Sequence, residues 1–227
     1  LTIRAQAKNK AYGATSGALT YTVEGLQFTD TVAEVSGTLS RESGDTVGTY
    51  LIGAGSIAVS SNYSFNFIGA NFTVTPAPLY VIAVDASKIY GGQDPGSFDF
   101  TSSGYISGED ASVLSGHLTR AAGQSHGTYE IGLGTLAASN YEIFFTPATF
   151  TINRATLLVS ATDKSKNYGA ANPAFDFTYS GLVNGDTEAV FSGALQAPTN
   201  VHVGNHAILL GSLSAGDNYS ISFTSGT

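Results

Sequence analysis

Three tyrosines stand directly before a glycine in the frame Lys-x-Tyr-Gly: Tyr12, Tyr90 and Tyr168, spaced by 78 residues each time. A ring in a loop can stack on a sugar, and three equivalent rings would make a series of weak glycan sites. The weightier reading is a tyrosine packed over a turn, its hydroxyl bonded to backbone. The glycine then supplies a positive φ. Asp85, Asp163, Asp110 and Asp186 offer carboxylates to calcium, but no Asp-x-Asp-x-Asp-Gly loop is present. They read better as side-chain-to-backbone turn formers. His202 and His206 are four apart, which on a helix would make a zinc pair. Their segment reads as a turn into a strand, which separates them by roughly 13 Å at about 3.3 Å per residue. His117 and His126 have no histidine counterparts elsewhere, and Gly132-Leu133-Gly134 lies in a strand pattern with no helix to make a phosphate loop. No acid–base pair or nucleophile recurs. We therefore assign no catalytic, cofactor-binding or metal-binding residue, and expect a protein that is not an enzyme.

The tyrosines recur because the whole chain does. Residues 79–156 can be laid over 1–78, and 157–227 over both, giving three repeats in 227 residues. Gly25, Gly104 and Gly181 correspond, as do Gly37, Gly116 and Gly193. So do the pairs Asn62-Tyr63, Asn140-Tyr141 and Asn218-Tyr219, which read as tight turns, since Asn tolerates the left-handed region. A module of this size buries only a small core. The third copy ends at Thr227, aligned with Thr149. Its counterpart of the closing strand is lacking, an unpaired edge is expected there, and the chain reads as an interior segment of something longer.

Composition narrows the class. Charged residues are 11% of the chain, against about 25% in ordinary soluble domains, so surface polarity must come from Ser, Thr, Asn and Gly. Nine basic residues against seventeen acidic ones, a net charge of −8, leave no electrostatic footprint for nucleic acid or an anionic membrane. No apolar run approaches the length of a membrane-spanning helix. There is no cysteine, hence no disulfide framework and no thiolate metal site. That fits an exported bacterial protein that stays unfolded during secretion.

The second repeat is the clearest to read. Residues 79–84 form an apolar β-rich run, 87–96 carry turn chemistry, 98–100 alternate, and 116–120, 128–133, 141–145 and 148–152 complete six short strands. Residues 108–114 and 185–191 suggest one helical turn, with acids at its start to cap free N–H groups. The fold class is mainly β, and a small β-sandwich or a β-grasp sheet fits each repeat. At the joints the apolar phase changes parity: Phe72 and Val74 are even, Leu79 and Val81 odd. Strand side chains alternate faces, so the chain leaves one core and enters another. With almost no linker, and with Pro76 and Pro78 at the first joint, an elongated rod is expected.

The string Ala83-Val84-Asp85-Ala86-Ser87-Lys88-Ile89-Tyr90-Gly91, its partner Ala161 to Gly169, the following Pro, Phe-x-Phe, Gly-x-x-x-Gly-Asp and Asn-Tyr together resemble the MBG repeat domain of the Tyr-Gly-x type. The first copy departs from it, with Ala7-Lys8-Asn9 in place of the Asp and Ser and with no Pro. The resemblance implies stalk repeats of a large bacterial exported adhesin, of the filamentous-haemagglutinin or biofilm-matrix kind, at the cell surface or outside the cell. It implies no cofactor. The expected partners are neighbouring repeats of the same chain. Host or matrix glycans form the rival class, through weak multivalent binding, and self-association between stalks a third. Neither nucleic acid nor membrane insertion is expected.

Overall fold

The computed structural model describes residues 1–106, 108–199 and 202–227. Among these there is no α-helix; the chain is built of short strands joined by turns. In the first repeat, Thr2–Ala5 is the centre of a three-stranded sheet, antiparallel to Tyr21–Glu24 and parallel to Asn66–Ile68. Alternation turns Ile3 inward, fully buried, against Val35 and Ile57. Two residues later the chain has changed sheets. Lys8–Ala11 is the edge of a four-stranded sheet, parallel to Ala70–Thr75, which in turn pairs with Gly48–Gly53 and then Ser40–Arg41. A second small core of Ile52, Phe72 and Val74 lies under that sheet, and Leu39 packs against both cores.

The second repeat repeats the plan. Ala77–Ala83 sits between Phe100–Ser103 and Tyr141–Thr146, and Ala86–Ile89, Ala148–Asn153, Gly127–Gly132 and Thr119–Arg120 make the four-stranded sheet. In the third repeat Ala155–Ala161 is flanked by Phe177–Ser180 and Tyr219–Thr224. The stretch equivalent to the second sheet carries isolated bridges, Gln196 to Leu209 and Ile208 to Gly226. The expected parity change is present: Ala70–Thr75 buries Phe72 and Val74, whereas Ala77–Ala83 buries Ala77, Leu79, Val81 and Ala83.

Two sequence expectations need amendment. The second repeat has seven strands among the described residues, not six. The additional one, Ala86–Ile89, lies in the stretch read as a turn. It pairs parallel to Ala148–Asn153, a partner 64 residues away, and carries no apolar alternation of its own. The helical turn is a single 3-10 turn in each repeat, Val32–Glu34, Ala111–Val113 and Glu188–Val190. Its caps are Thr31, Asp110 and Thr187, so Glu109 and Asp186 are left for other work.

By compactness the chain divides into two units, neither a single repeat. One comprises Leu1–Ile82, Thr101–Gly116 and Thr135–Thr146; the other comprises Ala83–Phe100, His117–Gly134 and Pro147–Thr227. The first unit therefore contains the joint from repeat one to repeat two, and the second contains the joint from repeat two to repeat three.

Candidate functional site: a tyrosine–carboxylate joint

Tyr141 and Tyr219 each begin a strand, Tyr63 lies three residues before one, and the hydroxyl of each reaches the acidic turn of its own repeat. Tyr63 donates its hydroxyl to Asp30 at 2.5 Å, Tyr219 to Asp186 at 2.7 Å, and Tyr141 to Glu109. The same hydroxyl accepts a backbone N–H from Gln27, Val183 and Ile106 respectively, at 2.9–3.1 Å. Each repeat thus presents a carboxylate pinned by its own phenol.

The Tyr-Gly loop of the preceding repeat completes the arrangement. Tyr12 donates to Glu109 at 2.6 Å, and its ring stands edge-on to Tyr141, centroids 5.6 Å apart at 76°. Tyr90 donates to Asp186 at 3.0 Å and stands edge-on to Tyr219, 5.5 Å apart at 81°. Edge-to-face contact at this separation is favoured by the ring quadrupoles. One carboxylate therefore accepts two tyrosine hydroxyls from two repeats. A second bond crosses each joint: Asn140 Oδ1 accepts the Val47 N–H at 3.1 Å, and Asn218 Oδ1 accepts the His126 N–H at 2.8 Å.

The glycine after the tyrosine serves close approach as well as backbone conformation. Gly13 has φ +76° and Gly91 φ +81°. A Cβ at Gly13 would lie 2.6 Å from Ile106 Cγ2, and one at Gly91 2.5 Å from Val183 Cγ2. Ile106 and Val183 are the residues whose N–H groups bind Tyr141 and Tyr219, so the loop seats on the same short segment that orients the phenol.

The electrostatics follow from these bonds. Donation by Tyr12, then by Tyr141, holds the Glu109 carboxyl below its ordinary value. The Tyr12 phenol is raised, first by its bond to Glu109 and then by burial. Burial pushes the Tyr141 phenol up, and the Glu109 carboxylate adds to it. Such an arrangement holds a neutral phenol against a charged carboxylate.

A second cluster supports the sheet beside each joint. In the first repeat Arg41 lies over the Phe72 ring at 4.7 Å and, with Lys10, binds Asp45, both at 2.7 Å. In the second, Arg120 lies over Phe150 at 4.8 Å and, with Lys88, binds Asp94. The acid comes from different places: Ser16 aligns with Asp94, and Gln124, which accepts from Lys88, aligns with Asp45.

The residues weighed from sequence fall as follows. The hydroxyls of Tyr12 and Tyr90 bind a carboxylate of the next repeat in place of the expected backbone. Tyr168 is 77% exposed. Asp85 and Asp163 accept the Thr149 and Thr227 N–H groups at 2.7 Å, across 64 residues, while Asp110 caps its 3-10 turn. His206 bonds the His202 carbonyl through its ring at 2.8 Å; the segment is a bend that closes on itself, where an extended one was expected. Among the described residues no three His, Cys, Asp or Glu side chains gather as a metal site would need. Glu109 and Asp186 were missed as joint residues, although their recurrence opposite Asn-Tyr in every repeat was a signal.

The MBG domain (YGX type) family model matches residues 1–73, 79–151 and 157–227. No curated protein and no solved structure matches the chain. The match falls on all three repeats, each with its Tyr-Gly loop, acidic turn and Asn-Tyr pair, and the chain belongs to the MBG domain family of the YGX type.

Proposed function

We propose that these MBG repeats are structural spacers, stalk segments of a bacterial cell-surface or secreted adhesin that set its functional ends apart in cell adhesion or a biofilm matrix. The observation that carries this reading is that the recurrent aromatic and acidic residues are spent on fastening one repeat to the next, through Tyr12 with Glu109 and Tyr90 with Asp186. Residues used in this way resist relative motion of successive repeats.

The rival reading, weak multivalent glycan binding, needs aromatic rings equally exposed in every copy. Tyr12 is half-buried, Tyr90 is 6% exposed and Tyr168 77%. The exposed pair Tyr80 and Phe144, ring centroids 5.5 Å apart, has Leu158 and Ser222 at the matching places in the third repeat. The spacer role is tested by small-angle scattering. A compact globule of this length has a radius of gyration near ~17 Å; a spacer requires a value well above that, and a value close to it removes the reading. Binding on a densely coated glycan array that is lost as the glycan is thinned to monovalent spacing would favour the rival.

A further inference from the structure

Asn184 and Gly185 form the only Asn-Gly pair in the chain, and it lies in the joint between the second and third repeats. Backbone φ is +59° at Asn184 and +77° at Gly185, and the Asp186 N–H closes the turn on the Val183 carbonyl at 3.0 Å. Two successive positive φ values are what a type I′ turn requires, and Asn-Gly takes them readily. The other repeats have Phe28 and Ser107 at the Asn184 place.

Asn-Gly is also the pair in which an asparagine loses its amide most easily. The backbone nitrogen of the following residue attacks the side-chain carbonyl carbon, and a side chain on that residue, or a hydrogen bond holding its N–H, slows the attack. Gly185 brings no side chain. Both residues are exposed, and among the described residues the Gly185 N–H has no acceptor. One bond tethers the asparagine: Nδ2 donates to the Tyr90 hydroxyl at 3.1 Å. The atom that makes this bond is the one that deamidation removes. The rest of the turn belongs to the joint as well. Tyr90 donates to Asp186 at 3.0 Å, and Val183 gives its N–H to the Tyr219 hydroxyl at 3.1 Å.

We propose that Asn184 is a site of spontaneous deamidation, and that its conversion loosens the joint between the second and third repeats. The Gly185 nitrogen bonds to Asn184 Cγ and gives up its proton. The Cγ–Nδ2 bond breaks, and Nδ2 leaves with that proton as ammonia. Water then opens the cyclic imide, at Cγ to give aspartate or at the backbone carbonyl to give isoaspartate. Water is the only co-reactant. Both products replace the Nδ2 donor by a carboxylate. The Tyr90 hydroxyl, with its single proton, then faces two carboxylates, and like charges sharing a site repel. Isoaspartate also routes the backbone through Cβ and Cγ, which adds an atom to the turn that sets Val183 and Asp186. The first joint has Ser107 at this place and is spared. A closed joint tethers the amide, and an opened one releases it.

Incubation of the full chain at mildly alkaline pH, with peptide mapping by mass spectrometry at intervals, tests the site. The peptide carrying Asn184 should convert at least about tenfold faster than those carrying Asn140 and Asn218, each followed by tyrosine. It should split into two products, one of them a substrate for an isoaspartyl methyltransferase. Tyr90→Phe removes the tether and should speed the conversion at least about twofold, the lower end of what one hydrogen bond contributes. Hydrogen exchange reads the consequence. Asn218 holds the His126 N–H across this joint, and Asn140 holds the Val47 N–H across the first. As Asn184 converts, protection of His126 should fall about tenfold while that of Val47 stays. In Asn184→Ser, which installs the residue of the second repeat, His126 protection should stay constant through the same incubation. An Asn184 that converts no faster than Asn140 and Asn218 overturns the proposal. So does a Tyr90→Phe chain that converts at the wild-type rate, since the tether would then hold nothing back. His126 protection that survives full conversion, or that decays equally in Asn184→Ser, overturns the loosening of the joint.

Discussion

Tyr12 and Glu109 lie 97 residues apart in the chain and are joined by one hydrogen bond of 2.6 Å, and Tyr90 and Asp186, 96 residues apart, repeat the relation at the next joint. A bond of this span does not stabilise either repeat alone; it couples one to the next. Removing a hydroxyl while keeping its ring isolates that coupling. Tyr90→Phe should lower the unfolding free energy by roughly 1.5 kcal/mol, the scale of a hydrogen bond to a charged acceptor. Tyr168→Phe, at an exposed position, should stay within about 0.5 kcal/mol of wild type. Urea denaturation of both variants measures the difference, and equal effects would remove the joint as the cause.

The first joint should weaken at both extremes of pH, for opposite reasons. Glu109 is held below its ordinary value by Tyr12 and then Tyr141. Its contribution is therefore full above the unfolded glutamate value of about 4.3 and is lost as pH falls through the lower folded value. The Tyr12 and Tyr141 phenols are raised, so their contribution is full below about 10 and is lost as pH rises through the higher folded values. Glu109→Gln should flatten the acid limb of the stability profile. An acid limb unchanged in this variant would assign the loss to other carboxylates.

Much of the fold was legible because it rests on local and periodic signals. The parity shift from Phe72 and Val74 to Leu79 and Val81 foretold the change of core, and the turns marked by glycine fell where they were read. The strand Ala86–Ile89 was not legible, because its partner is 64 residues away and its own residues alternate weakly. The joint was half legible. Tyr-Gly announced a turn, but the bond from Tyr90 to Asp186 has no local signature, and an acid before a helical turn is ordinarily a cap. The neighbouring Thr31, Asp110 and Thr187 do the capping, which frees the acid one position earlier, Asp30, Glu109 and Asp186, in every repeat. Equal loops in unequal surroundings, Tyr90 buried and Tyr168 exposed, became apparent only in three dimensions.

The two roles of the Tyr-Gly glycine can be separated by comparing repeats. Gly91 and Gly169 have nearly the same positive φ, so alanine at either carries the backbone cost of about 1–2 kcal/mol. At Gly91 the new methyl group also meets Val183, and at Gly169 it meets nothing within 4 Å. Gly91→Ala should therefore cost at least about 1 kcal/mol more than Gly169→Ala, read as the difference in denaturation midpoints at constant slope. Equal losses would mean that the glycine serves backbone conformation alone.

The cation clusters offer a transplant between repeats. Arg120 and Lys88 side chains are each 6% exposed, and Asp94, held below its ordinary value by Arg120 and then Lys88, balances both. Asp94→Ser installs the residue that the first repeat has there, and leaves two shielded cations without their carboxylate, Lys88 keeping Gln124 as an acceptor. The loss should be about 1–2 kcal/mol, limited because the Asp94 side chain is 36% exposed. Adding Gln124→Asp places the acid where the first repeat keeps Asp45, between its own Lys10 and Arg41. The double variant should recover most of that loss, since the acid returns to reach of the same lysine and the same guanidinium over Phe150. A double-mutant cycle in urea measures the coupling. A double variant no more stable than Asp94→Ser would show that the two repeats hold their arginines by different means.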